Sequence, residues 1–342
     1  MAADATTNAA TPEATAEAAS TAATEAGTSA TLTGAEITLY SGRNEELVGK
    51  LIEQFQTETG VKVNVRYGDT AELAAAIIEE GANTPADVFF SQDAGALGLL
   101  ATEGRLQKLP DATLNRVEAR FRSPEGLWVG ASGRARVVVY NNSKLTEADM
   151  PESILDFTDP KWKGRLGWAP SNASFQAFVT ALRVLQGEEQ ARQWLEGIKA
   201  NEPKVYDGNT PIVKAVAAGE IDAGFVNHYY LYGQIEQNGE DFAASNHFLK
   251  QGDPGALINV AGAAVLKETQ QQAAAEQFVD YLLSDTGQEY FAGETFEYPL
   301  VPTIKPSVEL PPLETIQTPE LDLSNLKDVQ GTTQLLQDLG IL

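Results

Sequence analysis

Tyr229 and Tyr230 are adjacent tyrosines in the run Asn227-His228-Tyr229-Tyr230-Leu231-Tyr232, directly after the apolar stretch Ile221 to Val226. A phenolate oxygen is a hard anionic donor, and a hard trivalent cation favours such donors. A free phenol has a pKa of about 10, so the metal itself must displace the proton on binding. On those grounds the pair points to a ferric site. Adjacent aromatics also serve as packing residues, one ring in the core and one on its rim, and the pair alone does not separate the two readings. Successive side chains of a strand point to opposite faces. Two neighbouring phenols therefore converge on one ion only where the strand has ended and the backbone turns. Residues 227–232 stand at such a place, because the apolar run stops at Val226.

Composition removes most competing chemistries. The chain has no cysteine, so it has no disulfide, thiolate metal site or thiol nucleophile. His228 and His247 are too few for a histidine-rich site. The 48 carboxylates form no acid/base motif, and no glycine-rich phosphate loop is present, so a binding protein rather than an enzyme is expected. The formal charge of −24 disfavours nucleic acid and anionic lipid as partners and suits a cation, although solubility accounts for most of the acidic residues.

The elements that must position the tyrosines follow from periodicity. A length of 342 residues suggests two domains. Residues 1–35 are Ala, Thr, Glu, Ser and Gly with almost nothing large and apolar, and a disordered tether is expected there. That segment has no apolar h-region, so it is not a signal peptide as written. No apolar run reaches the length of about 18 residues that would suggest a membrane span.

Ile37 to Tyr40 reads as a strand, followed by a helix with Leu47, Val48, Leu51, Ile52 and Phe55 on one face and Gly60 at its end. Val61, Val63 and Val65 alternate as a second strand, Asp69-Thr70 opens a helix, and Asp87 to Phe90 is a buried strand. This βαβαβ order predicts an open α/β sheet, whose ligands sit beyond the carboxyl ends of its strands. Arg43-Asn44-Glu45, Gly68-Asp69-Thr70 and Ser91-Gln92-Asp93 all fall at that edge. A second region repeats the pattern. Strands are predicted at 136–140, 167–170 and 221–226, and polar turns stand at Asn172 to Ser174, Asn209-Thr210 and Asn227 to Tyr230. A cleft between two facing units is the expectation. Val260 to Leu266 is a further buried strand, a helix follows at 273–283, and the tail beyond Pro306 is expected to wrap the outside.

Several blocks together resemble a known family. They are Leu39-Tyr40-Ser41-Gly42-Arg43, Ala86 to Phe90, Ser132 to Tyr140, Ala169 to Phe175, Ala217 to Glu220, Asn227 to Tyr230 and Glu297-Tyr298-Pro299. From about residue 36 to 340 the chain resembles the bacterial ferric-iron-binding proteins of ABC transporters, within the type 2 periplasmic-binding fold. The resemblance implies an α/β fold of two lobes, each an open sheet flanked by helices, with the ligand cleft between them. It implies lobe 1 at 36–134 plus 261–310, and lobe 2 at 135–260 plus 311–342 with the C-terminal tail.

The family's tyrosine pair falls on Tyr229 and Tyr230, and its synergistic-anion pocket on Asn172, Ala173, Ser174, Asn209 and Asn227. The anion would be carbonate, phosphate or citrate. Arg43 and Arg134 would brace the cleft and offset anionic charge. The sequence departs from the family at other ligands. The usual first-lobe histidine falls on Asn44, the glutamate of some members on Gln92, and a third tyrosine on Asn172. Glu45 stands where some relatives have a tyrosine and offers a carboxylate, while Asn44 and Gln92 offer amide oxygens. The resemblance thus implies a monomeric, extracytoplasmic protein, at the cell surface or in the periplasm, held to the membrane only through a lipid tether. It would hand Fe(III) to an ABC transporter permease. A binder of another anionic or organic solute, or a transferase on the same fold, are the alternatives.

Overall fold

The computed structural model describes residues 32, 34–250, 252–316 and 320–342. The tether expected over 1–35 lies outside the described residues except at its end, where Leu32 and Ala35 already pack on the core.

The first part alternates strands and helices as the periodicity predicts: β1 (Glu36–Ser41), α1 (Glu45–Thr59), β2 (Lys62–Tyr67), α2 (Thr70–Glu80), β3 (Val88–Ser91) and α3 (Ala94–Thr102). Asn44 starts α1 by accepting the Leu47 N–H at 3.0 Å, and Gly60 ends it in the left-handed region at φ 73°. The short helix α4 (Asp111–Leu114) leads to β4 (Val129–Tyr140), the longest strand. Next come β5 (Leu166–Trp168), α5 (Ala173–Gln186), α6 (Glu188–Ala200), β6 (Lys204–Val205), α7 (Asn209–Ala217), β7 (Ala223–Asn227), α8 (Tyr229–Asn238) and β8 (Ser245–His247). The chain closes with β9 (Ile258–Val265), α9 (Gln272–Leu282), α10 (Asp285–Gly293), β10 (Tyr298–Pro299) and α11 (Val329–Asp338).

The strands lie in the order β2-β1-β3-β9-β4-β7-β5-β6, with β8 and β10 also on β4. The two expected open sheets are therefore continuous, because both use β4. From Val129 to Ala135 this strand pairs antiparallel with β9, and from Arg136 to Tyr140 it pairs antiparallel with β7. Periodicity predicts only the second stretch. Residues 130–135 (Gly-Ala-Ser-Gly-Arg-Ala) carry no β-branched side chain. They are strand because β9 supplies hydrogen-bond partners and all twelve residues of β4 are buried.

Opposite faces of β4 feed separate cores. Val137 and Val139 join a large cluster that runs from Ile37, Phe89 and Phe90 to Ile212 and Val226. Val138 and Tyr140 face a second cluster built on Phe157, Trp162, Phe175, Phe178, Trp194 and Phe225. The tail spans the two: Leu323 and Leu326 enter the first cluster, Leu335 and Leu336 the second.

Candidate metal-binding cleft

Two parallel strands end in the same device. Ser41 Oγ donates to the Arg43 carbonyl at 2.7 Å after β1, and Ser91 Oγ donates to the Asp93 carbonyl at 2.6 Å after β3. Each serine turns the chain sharply at the carboxyl edge of the sheet, where an α/β fold exposes its loops. Gly42 is obligatory in the first turn, since a Cβ there would overlap the Thr70 side chain. The Thr70 hydroxyl in turn accepts the Gln92 N–H at 3.1 Å.

These turns form one wall of a cavity of about 560 Å³, with Gly42, Asn44, Glu45, Leu47, Tyr67, Gly68, Asp69 and Gln92. The opposite wall carries Ser171, Asn172, Ala173, Ser174, Asp207 and Tyr230. The cleft expected between facing strand ends is thus present.

The tyrosine pair occupies the junction where β7 ends at Asn227 and α8 begins at Tyr229. His228 already has helical angles, φ −57° and ψ −40°, so alternation has stopped before the first phenol. The two rings stack with centroids 4.4 Å apart and planes inclined by 27°. Tyr230 lines the cavity, while Tyr229 is buried and its hydroxyl has no hydrogen-bond partner among the described residues. Burial, reinforced by Tyr229, pushes the Tyr230 phenol well above its ordinary pKa, and the Arg134 and Arg43 guanidiniums only partly oppose that.

Three buried arginines surround the phenols: Arg43, Arg134 and Arg136. Arg43 is ion-paired to Glu297 at 2.9 Å and donates to the Gln92 amide oxygen at 3.0 Å. Burial disfavours its charge, but Glu297 and the two tyrosines outweigh that and hold its pKa above the ordinary value. Arg136 donates to the Phe225 carbonyl at 2.9 Å, and burial pulls its pKa down to about 9 against the opposing pull of the two tyrosines. Arg134 reaches the Gln92 carbonyl, yet its Nε and Nη1 have no partner among the described residues, and neither has Arg136 Nε. Buried donors without acceptors are costly, and they suit an anion.

Of the residues expected to hold an anion, Asn172, Ser174, Asn209 and Asn227 form a single hydrogen-bonded network. Asn209 Oδ1 accepts the Asn227 N–H at 3.0 Å, and Asn209 Nδ2 donates to Asn172 Oδ1 at 3.2 Å. Asn172 caps α5 by accepting the Ser174 N–H at 3.1 Å, and Ala173 stands exposed at the first position of that helix. A helix N-terminus with free N–H groups favours negative charge. Ser174 and Asn227 also line a small void beside Arg134 and Arg136.

On the first wall the expected donors differ in availability. The Asn44 amide oxygen is used as the α1 cap and the Gln92 amide oxygen is held by Arg43, whereas the exposed Glu45 carboxylate has no such bond. Among the described residues no three His, Asp or Glu side chains come together as a metal site.

The sequence comparison decides the family. The model of the bacterial extracellular solute-binding proteins matches residues 83–323. The chain belongs to that family. The major ferric iron-binding protein of Neisseria meningitidis serogroup A is 37% identical over 316 residues, covering 92% of this chain and 95% of that protein. Iron-bound HitA from Pseudomonas aeruginosa superposes with a TM-score of 0.84 at 37% identity, over 90% of this chain and 99% of that one. The Trichodesmium IdiA (FutA) structure, in complex with iron and citrate, has a TM-score of 0.75 at 32% identity, over 89% and 99%. Both likenesses carry the type 2 solute-binding fold over to this chain.

Some residues of this cleft are not singled out by the sequence. Tyr67 lines the cavity from the carboxyl end of β2, and its position after an alternating strand was the available signal. The sequence places Arg136 only in a predicted strand and Glu297 only in a block of family resemblance. Nothing local marks them, because their partners lie far away in sequence.

Proposed function

We propose that this protein captures Fe(III) together with an anion outside the cytoplasm and delivers it to an ABC importer. The observation that carries the reading is the stacked phenol pair at the β7–α8 junction, set in a cleft with buried guanidinium donors. Relatives and structural neighbours named as ferric- or iron-binding proteins support it.

Tyr229 and Tyr230 would bind the ion as phenolates, and Glu45 would add a carboxylate from the first wall. Asn44 and Gln92 are the weaker candidates, since their amide oxygens already accept hydrogen bonds. The anion would lie against Asn172, Ala173, Ser174, Asn209 and Asn227, with Arg43 and Arg134 supplying positive charge. Lobes at 36–134 with 261–310, and at 135–260 with 311–342, would close by bending at β4. A lipid tether through residues 1–35, a monomeric state and a permease partner complete the reading. No helix among the described residues is long and apolar enough to cross a membrane. No bond is broken in the cargo, in keeping with relatives that are binding proteins.

Ferric titration tests this directly. Loaded protein should be coloured by a phenolate-to-iron charge-transfer band, and a colourless 1:1 complex would rule out phenolate ligation. A second reading draws on the unpartnered arginine donors, which suit an organic or inorganic anion without metal. Calorimetric titration with phosphate or citrate in iron-free buffer separates the two.

A further inference from the structure

His228 lies between Asn227 and Tyr229, and its ring is wholly buried. Nδ1 accepts the Ala135 backbone N–H at 3.1 Å, and Nε2 lies 3.0 Å from the Phe296 carbonyl oxygen. An N–H only donates and a carbonyl only accepts, so these contacts select one neutral tautomer with the proton on Nε2. The ring also rests against Tyr298, centroids 4.8 Å apart, and meets Tyr229 edge-on at 5.7 Å and 85°.

The identity of the partners gives these bonds their meaning. Ala135 is the last residue of β4 paired with β9, and its neighbour Arg136 is the first paired with β7. The Ala135 backbone is therefore the seam of the sheet. Phe296 holds φ 56°, rare for a bulky side chain, and directly precedes Glu297, the partner of Arg43. The imidazole reaches the seam with one nitrogen and the turn before β10, on the first half, with the other.

We propose that His228 is a positioning residue for the tyrosine pair: its imidazole ties the head of α8 to the seam at Ala135 and to the Phe296 turn, so that the two phenols are oriented by the junction of the two halves. The inference rests on the reading of Tyr229 and Tyr230 as iron ligands. His228 contributes no donor to the ion, because both nitrogens are engaged. It acts on Tyr229 through backbone continuity and the edge-on ring contact.

Two substitutions divide the bonds. His228→Asn keeps an acceptor near Nδ1 for Ala135 and loses the link to Phe296. His228→Gln keeps a donor near Nε2 for Phe296 and loses the Ala135 acceptor. Each is titrated with ferric ion, its charge-transfer band recorded, its thermal melt measured, and amide exchange of the iron-free protein followed over residues 226–236. In His228→Asn we expect at least tenfold weaker iron binding, a displaced band maximum and at least tenfold faster exchange over 226–236, with the exchange of α5 unchanged. His228→Gln should bind within about threefold of the parent, because the backbone N–H of residue 228 still donates to the Ala135 carbonyl at 3.0 Å and holds the seam, whereas only the side chain reaches Phe296. Parent-like affinity, band and exchange in both variants overturn the inference. So does an equal loss in both that tracks a lower melting temperature with the band unmoved, since that marks a packing defect. A parent protein without any charge-transfer band defeats the ferric reading instead, and the exchange data then decide the positioning role alone.

Discussion

Arg43 and Glu297, 254 residues apart in sequence, form a fully buried ion pair with Nη2 2.9 Å from the nearer carboxylate oxygen. Glu297 also accepts from Ser132 Oγ at 2.7 Å, and Arg43 Nη1 donates to the Gln92 amide oxygen at 3.0 Å. The pair joins the turn after β1, the turn after β3 and the start of β10 beneath the cleft.

Removing one partner leaves an uncompensated buried charge. Glu297→Ala should lower the unfolding free energy by about 3–5 kcal/mol, measured by urea denaturation. The double substitution Arg43→Met with Glu297→Leu should recover much of that loss while weakening iron binding. A single variant as stable as the parent would show that the pair contributes little.

With the tyrosine pair as ligands, iron binding would depend on proton release. Binding as a phenolate releases the phenol's proton, and burial raises the Tyr230 phenol in the ion-free protein, so that group keeps its proton until the ion displaces it. Affinity should therefore rise with pH, gaining about 1.4 kcal/mol per pH unit for each phenol deprotonated. Titrations across the acid-to-neutral range should show a slope near two in the parent and near one in Tyr230→Phe. Equal slopes would exclude Tyr230 as a ligand. Tyr229→Phe with Tyr230→Phe together should abolish the band.

Glu45→Gln should weaken iron binding far more than Gln92→Ala. A carboxylate neutralises part of the ion's charge, and at intermediate dielectric a close pair of charges interacts by several kcal/mol, on the order of 4. The Gln92 amide oxygen is already held by Arg43 at 3.0 Å. Titrations with and without carbonate, citrate or phosphate check this. Parent-like binding by Glu45→Gln under every anion condition would leave the ion to the phenols, the anion and water.

Acid should destabilise the apo-protein through His228. Burial depresses its pKa from 6.5 to about 4, so between those values the unfolded chain binds the proton and the folded chain does not. Stability then falls as pH drops from about 6.5 towards 4, by roughly 3 kcal/mol in all from this group. His228→Gln should flatten the slope of urea midpoint against pH in that window. An identical slope in the variant would mean that other groups carry the acid response.

Much of this architecture is legible in the chain itself. Apolar spacing marks α1 through Val48, Leu51, Ile52 and Phe55, and Gly60 marks its end. The βαβαβ order alone places Asn44, Glu45, Asp69 and Gln92 at the carboxyl edge, and all four line the cavity. The end of an apolar run at Val226 places both tyrosines at a turn, and the strand does end one residue later, at Asn227. These features are local, and local sequence carries them because helix caps, strand alternation and turn chemistry involve residues only a few positions apart.

Tertiary structure alone decided the rest. Residues 130–135 look nothing like a strand, and β9, more than a hundred positions on, makes them one. Glu297 becomes the counter-ion of Arg43, Gln92 gives up its amide oxygen to the same guanidinium, and Arg136 comes to lie beside the phenols only after the sheet has closed on β4. Burial sets which of these charges persist and which groups are left without partners. Burial is a property of the packed chain, summed over contacts between distant segments, and no window of sequence contains it.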